Sequence, residues 1–99
     1  MHARVSTYQS PPEQLTDAVV DNMRANILPR VFEMDGNRGA IFLMDRETGK
    51  QVSITLWESA EAMRASEEKA NQVRGDAAQT TSGNVGNVER FEVDVAELR

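Results

Sequence analysis

Ninety-nine residues suit one domain and not two, and a chain of this size buries only a moderate share of its surface alone. A net charge of −5, with 27% charged residues, excludes the basic surface a nucleic-acid backbone requires. Without cysteine there is no disulfide, thiolate nucleophile or thiolate metal site. No apolar run approaches the roughly 18 residues of a membrane span, and "MHARVSTYQSPPEQ" lacks an apolar targeting core. An acidic cytoplasmic protein without nucleic-acid or membrane partners is the expectation.

"HARVSTYQ" alternates, carries β-branched residues and stops at "SPP", which predicts a first strand over residues 2 to 9. Ser10 is placed to cap the helix that follows. There Leu15, Val19, Met23 and Ile27 recur every four residues, opposite Glu13, Asp17, Asp21 and Arg24, and Pro29 is expected to end or kink the helix near Ile27. "VFEMDGNRG" then leads to "GAIFLMD", the turn "RETGK" with a positive φ expected at Gly49, and "QVSITLW". Residues 39 to 57 therefore read as a β-hairpin. Ser59 caps a second helix, 59 to 74, with Gly75 as its stop. "DAAQTTSGNVGN" reads as a loop with room for one helical turn at its start, and "VERFEVDVAEL" alternates as a last strand.

The order β–α–β–β–α–β is the ferredoxin-like split arrangement: an α+β domain in which a four-stranded antiparallel sheet carries two helices on one face. Residues 40 to 44 are Ala, Ile, Phe, Leu and Met in succession, so both faces of the second strand want cover. A homodimer with sheets packed face to face, a dimeric α+β barrel, supplies it.

This order, the hairpin "GNRGAIFLMDRETGK" and the junction "ITLWES" resemble the antibiotic-biosynthesis-monooxygenase-like domains of the dimeric α+β barrel superfamily. The resemblance spans nearly the whole chain. It implies a site between sheet and helices, with cofactor-independent oxygenation of phenolic or quinol compounds, haem degradation, or no reaction as the possible activities. Some members use a tryptophan at the end of the third strand, which Trp57 matches by position. Several carry a histidine further on where this chain has Ser66, so the resemblance implies no proximal haem ligand and no histidine base on that helix.

The single indole is either a structural plug or the wall of a pocket for a small aromatic ligand. The helix facing it presents mostly small side chains, Ala62, Met63, Ser66, Ala70 and Val73, and either lies close to the sheet or leaves volume. Asn22 and Asn26 fall on the edge of the apolar stripe, where they bond to nearby backbone or orient a ligand oxygen. Trp57, Asn22, Asn26, Ser66 and Met63 are thus the pocket candidates. Tyr8, opposite in parity to Val5, is expected on the dimer side. His2 and Arg38 read as surface residues, and Asp17 and Asp21 as a solvated face. No metal site is expected, because one histidine and the diverging Glu67 and Glu68 make a poor ligand set. No dinucleotide or Walker motif is present, and no cofactor is expected. Chemistry on a quinol would also need a proton acceptor, and none stands out, which leaves a non-catalytic homodimeric binding or structural module as the alternative to a monooxygenase-like enzyme.

Overall fold

A computed structural model describes residues 1–99. Strands β1 (His2–Gln9), β2 (Asn37–Met44), β3 (Lys50–Trp57) and β4 (Asn84–Glu92) form one sheet in the order β2-β3-β1-β4, every neighbouring pair antiparallel. Two helical arms cover one face. The first runs through α1 (Asp17–Asn22), a π-helical turn (Met23–Ile27) and α2 (Leu28–Phe32), and the second through α3 (Ala60–Ala65) and α4 (Glu67–Thr80). The expected ferredoxin-like α+β order is present, with each helix broken in two.

Pro29 does not end the first arm. The turn before it widens, so that Leu28 N–H donates to the carbonyl of Met23, five residues back. That extra width makes room for the proline ring, whose clash with the carbonyl four residues earlier would otherwise break the helix, and Val31 and Phe32 stay helical. The arm is capped by Thr16, which accepts from Val19 N–H at 3.2 Å, and not by Ser10, whose hydroxyl lies 2.7 Å from that of Thr81. Ser59 caps the second arm as expected, accepting from Ala62 N–H at 3.0 Å.

Gly75 is no stop either: α4 passes through it to Thr80, because Ala77 continues the buried stripe of Ala70 and Val73. The segment read as a loop from Asp76 to Asn87 therefore ends α4 and begins β4, and the last strand runs from Asn84 to Glu92, with residues 93 to 99 outside any element. A Cβ at Gly75 would meet nothing within 4 Å. Gly75→Ala is accordingly expected to stabilise the domain by about 0.5–1 kcal/mol, read as a rise in thermal midpoint. Gly49 has φ +84°, as the hairpin requires, and a side chain there would run into the Ser10 carbonyl. Asp45 Oδ1 completes that turn by accepting from the N–H groups of Glu47 (2.9 Å) and Thr48 (3.3 Å).

Strand alternation sets the two faces of the sheet. Arg4, Ser6 and Tyr8 of β1 point toward the helices, as do Gln51, Ser53, Thr55 and Trp57 of β3. Tyr8 thus faces inward, contrary to the expectation from its parity with Val5: the polar half of these strands is the covered half. On β2, Ile41 and Leu43 alternate outward, 41% and 50% exposed, and Phe91 of β4 is 49% exposed. No helix is long and apolar enough to cross a membrane.

Candidate functional site

Between sheet and helical arms lies a cavity of about 320 Å³, within the range of roughly 300–1,000 Å³ usual for small-molecule sites. Met23, Ile27 and Val31 of the first arm and Ala70, Val73 and Ala77 of α4 form its roof. The small residues of α4 leave the volume, and the π turn brings both Met23 and Ile27 onto it. Arg4, Ser6, Tyr8, Ser53, Thr55 and Trp57 form the floor, and Ala40 and Phe42 extend it along β2.

Trp57 is both plug and wall. It is 0% exposed and belongs to the main core cluster with Ile27, Val31, Met34 and Met63, and it is also among the residues around the cavity. Its indole N–H donates to Thr55 Oγ1 at 3.0 Å and is thereby engaged within the strand.

Beneath the indole, Arg4 is 2% exposed, with Cζ 5.2 Å from the ring centroid. Its guanidinium donates to the Met63 carbonyl (2.6 Å), Ser66 Oγ (3.0 Å) and Glu67 Oε1 (2.9 Å). Arg90 donates twice more to Glu67, at 2.7 Å each. The hydrogen bonds from Arg90 and then Arg4 hold the Glu67 carboxyl at a pKa of about 2. This network explains Ser66 and Met63: both are buried, but they serve Arg4 and do not line the cavity. Asn22 and Asn26 bond to each other, Asn26 Nδ2 to Asn22 Oδ1 at 2.6 Å, and also stay off the cavity wall. Of the five pocket candidates only Trp57 reaches the cavity.

Sequence reasoning missed Arg4 and Arg74, and it put Tyr8 on the opposite face of the sheet. Tyr8 Oη lies 3.4 Å from Ser53 Oγ, and burial raises its pKa, keeping the phenol protonated. Arg74, 8% exposed, makes one long hydrogen bond, to Asn71 Oδ1 at 3.5 Å. Burial, and next the Arg4 cation, lower its pKa. His2 does not line the cavity, and no Asp or Glu does. No group of three or more His, Asp or Glu side chains is placed to hold a metal ion.

The same architecture recurs in solved structures. The monooxygenase from the gene ActVA-Orf6 of Streptomyces coelicolor, in complex with nanaomycin D, superposes with a TM-score of 0.71 at 16% identity, over 99% of this chain and 91% of that one. SnoaB, a cofactor-independent oxygenase from Streptomyces nogalater, gives 0.62 at 14%, over 96% and 94%. A candidate antibiotic biosynthesis monooxygenase from Deinococcus radiodurans gives 0.68 at 16%, over 100% and 98%. The fold is that of the antibiotic-biosynthesis-monooxygenase-like domains. At these identities the likeness is one of fold. In sequence, the uncharacterized proteins Rv2557 and Rv2558 of Mycobacterium tuberculosis are 33% and 32% identical over 93 residues. The chain spans 41% and 39% of their lengths. No family model matches the chain.

Proposed function

We propose that this monooxygenase-like domain binds a small aromatic compound in the cavity between sheet and helices, and does so as a homodimer. The observation that carries the reading is the cavity itself. Close-packed interiors do not keep such volume cheaply, and here it is walled by Tyr8, Phe42 and Trp57, three methionines and a row of alanines and valines. Because no carboxylate or imidazole lines it, the arrangement supports binding more strongly than base-dependent catalysis.

Oxygenation is the second reading, favoured by the cationic floor. A guanidinium close to a bound phenol stabilises its anion, so a quinol with an already low pKa could ionise before it is enclosed, without a protein base. Two measurements separate the readings. Trp57 is the only tryptophan, so saturable change in its emission with a hydroquinone panel reports binding, and oxygen consumption that saturates with the same compounds reports turnover. Saturable emission change without oxygen uptake is the expected result. No saturable change with any member would sink the binding reading.

The homodimer rests on the uncovered face of the sheet, where Ile41, Leu43 and Phe91 are the most exposed apolar side chains. Light scattering at micromolar concentration is expected to give the mass of two chains, and Ile41→Glu the mass of one with an unchanged far-ultraviolet spectrum. A single-chain mass for the parent protein would refute the assembly.

A further inference from the structure

The cavity is positive in an otherwise acidic protein. The chain has 16 acidic residues against 11 Lys and Arg, yet the charged residues lining the cavity are Arg4, Arg24, Arg46 and Arg74, with no acidic side chain among them. Two of these cations are answered within the protein: Arg4 by Glu67 at 2.9 Å and Arg46 by Asp17 at 2.9 Å. Arg74 is different. It is 8% exposed, makes no ion pair, and its one hydrogen bond is at the limit of length. A largely buried arginine with no carboxylate partner is an arrangement that a ligand anion would favour.

We propose that the cavity takes an anionic ligand, an oxygen anion on an apolar body, with the anion set against Arg74 and the body against Met23, Ile27, Val31 and Trp57. This rests on the reading of the cavity as a ligand site and narrows it from aromatic compounds in general to anions. Tyr8, on the same floor, offers its hydroxyl as a second donor. Arg favours carboxylates and phenolates alike, since both present in-plane oxygen lone pairs to its fork of N–H groups.

Matched probes test the proposal on the full chain: 2-naphthoate, its neutral counterpart 2-naphthamide, and pentafluorophenol, which is ionised at neutral pH, each titrated calorimetrically. Naphthoate is expected to bind at least about tenfold more tightly than naphthamide, as a charge-assisted hydrogen bond implies. The preference should disappear in Arg74→Gln while naphthamide binding is retained, and Arg74→Lys should restore part of it. Retained naphthamide binding also shows that Arg74→Gln has kept its fold. Tight binding of pentafluorophenol alongside naphthoate assigns the site to oxygen anions generally, and binding of naphthoate alone assigns it to carboxylates. Equal affinity for naphthoate and naphthamide, or a preference that survives in Arg74→Gln, would overturn the proposal while leaving the cavity as a site for neutral ligands. If none of the three binds to saturation, the ligand-site reading itself falls, and this inference with it.

Discussion

Trp57→Ala is expected to lower stability by about 3–5 kcal/mol, the usual cost of emptying a large aromatic position in a core. The residue is 0% exposed, and its ring touches the packing of both helical arms. Domains of this size have roughly 5–15 kcal/mol to lose, so chemical denaturation should show a midpoint shifted far toward water or no folded baseline at all. Trp57→Phe keeps most of the bulk but loses the hydrogen bond to Thr55 and much of the contact with the Arg4 cation. A cost of about 1–2 kcal/mol is expected for it. An alanine variant as stable as the parent would mean that the ring walls the cavity without holding the core together.

Removing Glu67 should have the second largest effect. Glu67→Ala leaves Arg4 buried with only the Met63 carbonyl and Ser66 hydroxyl for company. The expected cost is about 2–3 kcal/mol, below the 3–5 kcal/mol of a fully enclosed pair because Glu67 is partly solvated and screened. The same network sets an acid limit. Arg90 and Arg4 lower the Glu67 carboxyl from its ordinary 4.5 to about 2. The folded state therefore binds this proton less readily than the unfolded chain, and the stabilisation, complete above about pH 4.5, is lost as pH falls through about 2. Glu67→Gln is expected to flatten the fall in stability across that window, measured by urea denaturation at stepped pH. An unchanged slope would show that other carboxylates govern acid unfolding.

The fold was legible because its signals were local and redundant. The hairpin needed only "RETGK" between an apolar run and a β-branched one, and Ser59 declared the second arm by capping it. Element ends were harder, for physical reasons. Pro29 forbids an ordinary helical hydrogen bond but not a π turn one step earlier, and no periodicity of four reveals that turn. Gly75 is a stop only if the apolar stripe ends there, and Ala77 carries the stripe beyond it.

Of the residues named for a pocket, only Trp57 is among those around the cavity. Strand alternation separates two faces without saying which one the helices cover. Val5 suggested an inward apolar half for the first strand, whereas its inward half is Arg4, Ser6 and Tyr8, joined by Ser53 and Thr55 of the third strand. An arginine in an alternating strand looks solvated, and only its partners across 59 to 63 residues of sequence, Met63, Ser66 and Glu67, make Arg4 a buried group. Asn22 and Asn26 misled because amides four residues apart on a helix can satisfy each other.

Where a ligand settles on this molecule is best settled by methyl-detected NMR, titrating the tightest-binding aromatic compound into labelled protein. Binding in the cavity predicts the largest shifts at Met23, Ile27, Val31 and Val73, which line it, with Ile41 little changed. Shifts concentrated instead on Ile41 and the other outward residues of the sheet would place the ligand on the uncovered face and contradict a site between sheet and helices.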